Sequence, residues 1–206
     1  MGLYADHILP RGINWCMGGR PFRELRQRWL AELSGEVVEL GFGSGLNLPH
    51  YPPAVTAIAA VEPSDLARRL ARQRLAACPT PVRFAGLDGA ALELPDASAD
   101  AVLSTWTLCT IPDLEAALGE VARVLRPGGR LHFLEHGLSE DPRVARWQRR
   151  LEPLQKRFAG GCHLTRPMDR LLEAAGYRLH GLERFEMSGP RFASAMYAGQ
   201  AEPPPR

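Results

Sequence analysis

Glycines at three alternate positions, Gly41, Gly43 and Gly45, follow directly on the apolar run Glu36-Val37-Val38-Glu39-Leu40. Such a turn lets the backbone run against a ligand, because no side chain intervenes and positive φ is open to glycine. In open α/β sheets, ligands sit beyond the carboxyl ends of the strands, where this turn would lie. A dinucleotide turn, G-x-G-x-x-G, would need glycine at position 46; Leu46 stands there instead, and the third glycine comes one residue early. An acid about 20 residues past the turn, Glu62, can accept from both hydroxyls of a ribose. Asp88-Gly89 can frame an adenine, with the carboxylate accepting from its amino group. Each alone would also suit a plain turn or a helix start; together they point to a nucleoside-bearing ligand.

These residues need a scaffold that places several strand ends together. The helix period runs over Pro21–Leu33, where Phe22, Leu25, Trp29 and Leu33 share a face and Arg23, Arg26 and Arg28 turn away. Short β-branched or apolar runs predict strands at Glu36–Leu40, Ala57–Val61, Val82–Ala85, Ala101–Ser104 and Arg130–Glu135, and a closing pair at Tyr177–Phe185 and Ala193–Ala198. Helices are expected from a Ser64 cap to about Ala77, at Leu114–Leu125 ahead of Pro127-Gly128-Gly129, at Asp141–Phe158 and at Arg166–Ala175. The alternation predicts an α/β fold, Rossmann-like, with a seven-stranded, mostly parallel sheet, helices on both faces and an antiparallel closing strand. One domain is expected over 1–200, with 1–33 as an N-terminal helical cap, 1–19 itself irregular and broken by Pro10, Gly12, Gly18 and Gly19, and a disordered proline-rich tail at 201–206.

Composition removes other classes. A net charge of +2 over 206 residues leaves no nucleic-acid footprint. No signal peptide and no apolar run of spanning length stand out. Cys16, Cys78, Cys109 and Cys162 form no C-x-x-C pair and no zinc spacing, so reduced thiols, no metal site and a cytoplasmic location are expected. Helix 141–158 carries Val144, Trp147, Leu151, Leu154 and Phe158 on one side and many arginines elsewhere. That stripe is expected to pack over the sheet or to lid a pocket, in preference to lying on a membrane.

The motifs ELGFGSGLN (39–47), VEP (61–63), GLDG (86–89), DAVLSTWTLCTIPD (100–113) and VLRPGGRLHFLEH (124–136) resemble those of class I S-adenosylmethionine-dependent methyltransferases over residues 34–136. STWTLCTIPD, FLEH and GCHLTRP (161–167) further resemble the methyltransferase-like family that includes alkyl thiol methyltransferases, without the hydrophobic N-terminal anchor of its membrane-associated animal members. The resemblance implies S-adenosyl-L-methionine as cofactor and S-adenosyl-L-homocysteine as product. It implies that Glu39, Gly41, Gly43 and Gly45, with Ser44, meet the methionine portion. Asn47 would support the turn. Glu62 and Pro63 would hold the ribose, and Asp88 and Gly89 the adenine. Thr105 and Trp106 would face the reacting end.

Methyl transfer from a sulfonium needs an aligned nucleophile. A thiolate meeting a sulfonium cancels charge, which a dry apolar pocket favours, whereas an amine acceptor leaves a cation that acids or aromatic faces would steady. Ser104–Pro112 is apolar with hydroxyls, holds no acid, and lacks the Asn/Asp-Pro-Pro-Tyr run used on planar amino groups. A small-molecule acceptor, preferably a thiol, is therefore expected. Amine or lipid-headgroup N-methylation and a non-catalytic cofactor-binding partner protein are the alternatives. His136, at a strand end, is the first candidate base, and His163 the second.

Overall fold

A computed structural model describes residues 4–205. The strands are β1 (Gly35–Leu40), β2 (Val55–Val61), β3 (Val82–Phe84), β4 (Ala99–Thr105), β5 (Leu125–His136), β6 (Arg178–Glu186) and β7 (Ala195–Glu202). They form one sheet in the order β3-β2-β1-β4-β5-β7-β6. All neighbours pair in parallel except β7, which runs antiparallel to both β5 and β6. The expected Rossmann-like sheet with its antiparallel closing strand is what the chain folds into. Strand order reverses between β1 and β4, and the carboxyl ends of these two strands open the crevice where such sheets bind ligands.

The helices are α1 (Leu9–Met17), α2 (Arg20–Leu30), α3 (Asp65–Ala77), α4 (Leu114–Val124), α5 (Pro142–Phe158) and α6 (Met168–Ala174). Two cores sandwich the sheet. One packs Val38, Leu40, Val102 and Phe133 against Leu118, Val121 and Val124 of α4; the other packs Val37, Ile58 and Leu103 against Leu30 and Ala71. Burying such side chains stabilises the fold by about 1.5–3 kcal/mol each. Ser64 caps α3, its hydroxyl accepting from Ala67 N at 3.2 Å, and Asp113 does the same for α4 through Ala116 N at 3.0 Å.

Four regions differ from the sequence reading. Residues 9–17, expected to be irregular, are α1, because Pro10 sits in the first turn, where no backbone N–H is required. Ala201 and Glu202, placed in the tail, extend β7: Ala201 is buried opposite Leu131 and Leu179, and the prolines stop the strand only after Glu202. Arg206 lies outside the described residues. Pro127-Gly128-Gly129 is a bulge within β5, after which pairing resumes at Ala101↔Arg130. The apolar stripe of α5 is largely uncovered: Val144, Ala145 and Gln148 are buried, while Trp147 and Leu154 are each 57% exposed. The buried Gln148 amide sets this rotation, accepting from Ser139 N at 2.8 Å and donating to Gly137 O at 3.0 Å.

Candidate functional site

The carboxyl ends of β1, β2, β4 and β5 surround a cavity of about 800 Å³, roofed by α1, α2 and the end of α5. That is near the top of the range for ligand pockets, about 300–1,000 Å³. Gly41, Gly43 and Gly45 all take positive φ, at +65°, +57° and +73°. A Cβ on Gly41 would fall on the Thr107 side chain. One on Gly43, which lines the cavity, would meet no atom nearer than 3.8 Å. The turn therefore forms a bare backbone wall for a ligand, as a cofactor cradle requires.

Glu62 is buried at this wall, its carboxylate accepting from Gly43 N and Ser64 N, each at 2.7 Å. Burial pushes its pKa up, and these two N–H groups oppose the rise. Pro63, Asp88 and Gly89 line the same end, with Asp88 exposed and accepting from Ala90 N at 2.8 Å. Ser44 lines it too and donates to Asn14 at 2.8 Å.

Glu39 stands one layer behind the wall. It is fully buried; Asn47 donates to one carboxylate oxygen and Tyr51 to the other, each at 2.7 Å. Burial pushes its pKa up to about 7 against these bonds and the nearby Arg26 cation. Asn47 also donates to Thr105 Oγ1 at 3.0 Å and accepts from Arg26 Nε at 2.8 Å. Arg26 is only 3% exposed, lines the cavity and lies 5.0 Å over the Trp106 ring. The sequence reading turned this arginine away from the core and assigned Tyr51 no role. Arg26 lies four residues after Phe22 and three before Trp29, so helical spacing puts it on their face, at the cavity edge; its charge alone argued for exposure. Two of its donors are used, by Asn47 and by Met17 O at 2.8 Å; the rest of the fork suits a carboxylate.

Beyond β4 the wall changes character. Trp106 takes φ 51°, a left-handed conformation rare for a bulky residue and a mark of strain at a functional wall. Glu135, unassigned by the sequence reading, holds this segment. It is fully buried and accepts from Ser104 Oγ at 2.6 Å, Thr107 N at 3.0 Å, Leu108 N at 3.1 Å and Cys109 N at 3.1 Å. An acid inside the apolar strand Leu131-His132-Phe133-Leu134-Glu135 was the available signal, since a buried carboxylate must be partnered. Arg166 ties down the same segment through Leu108 O and, at 2.8 Å, Ile111 O.

His136 lines the cavity, with Nδ1 3.7 Å from Cys162 Sγ, and Cys162 Sγ is 3.7 Å from Cys109 Sγ. The thiol hydrogen bond shared with Cys109 pulls the Cys162 pKa down, helped by His136, and pushes Cys109 up. The fold thus gathers three chemistry-bearing side chains that no sequence spacing links. His163 is not brought to the cavity. Its Nδ1 lies 3.2 Å from Glu152, and burial followed by the Arg166 and Lys156 cations pushes its pKa down.

Residues 38–133 match the family model described as a methyltransferase domain. A thiol S-methyltransferase of Rattus norvegicus is 36% identical over 148 residues, which are 68% of this chain and 59% of that protein. The chain therefore spans about three fifths of that relative's length. A phosphatidylethanolamine N-methyltransferase of Cereibacter sphaeroides is 27% identical over 175 residues, 82% of this chain and 84% of the relative. Among solved structures, Haemonchus contortus phospholethanolamine N-methyltransferase 2, in complex with phosphomonomethylethanolamine and S-adenosylhomocysteine, superposes with a TM-score of 0.72. Its sequence identity is 13%, covering 98% of this chain and 60% of that one.

Proposed function

The chain belongs to the class I S-adenosylmethionine-dependent methyltransferases, and from that premise we propose that it methylates the sulfur of a small, hydrophobic thiol. The cradle of Gly41, Gly43 and Gly45 fits the cofactor, with Glu62 and Pro63 at the ribose, Asp88 and Gly89 at the adenine, and Ser44 along the turn. Arg26, steadied by Asn47 and by Glu39 behind it, takes the methionine carboxylate. When bound, the cofactor supplies a methyl group on a sulfonium, activated for in-line displacement. Thr105 and Trp106 fix the direction from which an acceptor approaches.

The observation that carries the thiol reading is the placement of acids. Glu62 and Asp88 are the carboxylates among the described residues lining the cavity, and both lie at its nucleoside end. The acceptor end is walled by Ile13, Met17, Phe22, Trp106 and Phe158. An ammonium product would find the aromatic faces of Phe22, Trp106 and Phe158 there but no carboxylate to neutralise it, whereas a thiolate and a sulfonium combine into neutral products, which a dry wall favours. The acceptor thiol loses its proton at the polar edge formed by His136, Cys109 and Cys162.

A second reading, N-methylation of a lipid headgroup, is favoured by the Cereibacter relative and by exposed apolar side chains on α1 and α5: Trp15 at 85%, Trp147 at 57% and Phe158 at 49%. Among the described residues no helix is long and apolar enough to cross a membrane, so this surface would have to rest on one. Assaying transfer of labelled methyl to an alkyl thiol, and to aminophospholipid vesicles, separates the two. Label in the thioether supports the thiol reading; label only in the lipid overturns it.

A further inference from the structure

Cys109, His136 and Cys162 come from three separate places: the loop after β4, the last residue of β5, and the segment after α5. Their ligand atoms all lie within 4.8 Å of one another, the two thiols are buried, and all three residues line the cavity. We propose that these three side chains hold a zinc ion at the acceptor end of the pocket, with its fourth coordination position open to the acceptor thiol. This inference rests on the thiol reading for its role, though not for the existence of the site.

The spacing fits that geometry. Zinc bonds of about 2.3 Å to sulfur and about 2.0–2.1 Å to nitrogen, at tetrahedral angles, put two sulfurs about 3.8 Å apart and a sulfur about 3.5 Å from a nitrogen. The observed Cys109 Sγ–Cys162 Sγ and Cys162 Sγ–His136 Nδ1 separations are both 3.7 Å. Two edges of the coordination tetrahedron are thus already set, and only the Cys109–His136 edge has to adjust. Two thiolates and an imidazole form a soft donor set that suits zinc over magnesium or calcium, and three protein ligands with an open position are the pattern of catalytic zinc. A structural site would be closed by a fourth side chain; here the remaining direction is the cavity.

The ligands are held from behind. Glu135 fixes Cys109 through its backbone N–H, Cys109 O accepts from His163 N at 2.8 Å, and Arg166 fixes the carbonyls on either side of the Cys109–Thr110 pair. Such outer contacts orient metal ligands. In the proposed step, the acceptor's S–H bond breaks as its sulfur bonds to zinc, and the proton leaves to solvent. A thiol that coordinates zinc is deprotonated outright, and the bound sulfur keeps a lone pair that forms the new S–CH3 bond as the sulfonium's own S–CH3 bond breaks, its electron pair staying on the sulfur of the departing S-adenosylhomocysteine. The neutral thioether product is a weaker ligand than a thiolate and releases the position.

Cobalt(II) is the probe, because it reports tetrahedral thiolate coordination by visible absorption. The reduced full-length chain is titrated with cobalt chloride, then with an alkyl thiol. One cobalt per chain with tetrahedral bands, perturbed by the thiol, is expected, as is loss of the bands in Cys162→Ser and His136→Ala variants that still bind S-adenosylhomocysteine. Titration with S-adenosylhomocysteine separates loss of the site from loss of the fold. Absence of tetrahedral bands in the unsubstituted chain, or bands that persist in both variants, would overturn the site. Tetrahedral bands in a chain that methylates no thiol would support the site and refute the thiol reading. Thiol methylation at full rate by chelator-treated chain that gives no cobalt bands would refute the site and support the thiol reading.

Discussion

Gly41 and Gly43 occupy one turn and share a left-handed backbone, yet replacing each with alanine should fail in different ways. Alanine in that conformation costs about 1–2 kcal/mol, and both variants carry this strain. Gly41→Ala adds a Cβ that lands on Thr107, whose backbone N–H is anchored on Glu135. Overpacking of that kind adds about 1–3 kcal/mol, so the fold should lose about 2–5 kcal/mol in all. Gly43→Ala meets nothing nearer than 3.8 Å and should cost only the backbone strain. Its methyl group stands where the cofactor must approach, however. An overlap of about 1–3 kcal/mol in the complex corresponds to roughly 5- to 150-fold weaker binding at about 1.4 kcal/mol per decade. Urea denaturation gives the first quantity and calorimetric titration with S-adenosylhomocysteine the second. A Gly43→Ala chain that binds with unchanged affinity, or a Gly41→Ala chain no less stable than Gly43→Ala, refutes the reasoning.

Three other substitutions probe the layer behind the wall. Glu135→Ala strands Thr107 N and Cys109 N, leaving Leu108 N with only Ser104 Oγ at 3.3 Å; at about 1–3 kcal/mol per orphaned donor, the urea midpoint should fall by the equivalent of several kcal/mol, and an unchanged midpoint would contradict the anchoring role. Arg26→Met should weaken S-adenosylhomocysteine binding about 10- to 100-fold, the loss of a charge-assisted bond of about 1.5–3 kcal/mol, while leaving 5′-methylthioadenosine, which lacks the carboxylate, nearly unaffected; equal losses for both ligands would exclude the carboxylate assignment. Glu39 has a folded pKa near 7 against an ordinary 4.5, so its folded form holds a proton that the unfolded form releases. Its contribution to stability is complete below pH 4.5 and is lost as pH rises to 7, by about 3 kcal/mol at 1.36 kcal/mol per unit. The stability advantage of the unsubstituted chain over Glu39→Gln should shrink by that amount across this window in a urea series, and a constant difference would show that Glu39 is ionised throughout.

Much of the scaffold could be read from local pattern. Val37, Val38 and Leu40 ahead of Gly41, and Ser64 ahead of Leu66 and Ala67, are signals carried within a few residues, and the strand and the cap both form there. Leu9–Met17 was obscured because Pro10 and Gly12 read as breakers, whereas Pro10 stands in the first turn, where no N–H is needed, and one glycine in a helix costs only about 1 kcal/mol. Arg26 shares a helix face with Phe22, Trp29 and Leu33 by spacing, and its charge masked that signal. Only the third dimension shows it facing Asn47 and Trp106 while Arg28 reaches out to Glu183. The Cys109–His136–Cys162 cluster has no sequence signature for the same reason: β4 and β5 are sheet neighbours, and the segment after α5 returns across their ends. Trp147 and Leu154 read as core by period, and that reading yields to Gln148, whose amide bonds orient the helix.

The most direct measurement is the fate of an isotopically labelled methyl group when the chain is incubated with S-adenosylmethionine and a simple alkyl thiol, followed by mass spectrometry of the products. A labelled methyl thioether formed in equal amount with S-adenosylhomocysteine is expected. S-adenosylhomocysteine formed only when an amine or an aminophospholipid is supplied, with the thiol left unchanged, would contradict the thiol reading.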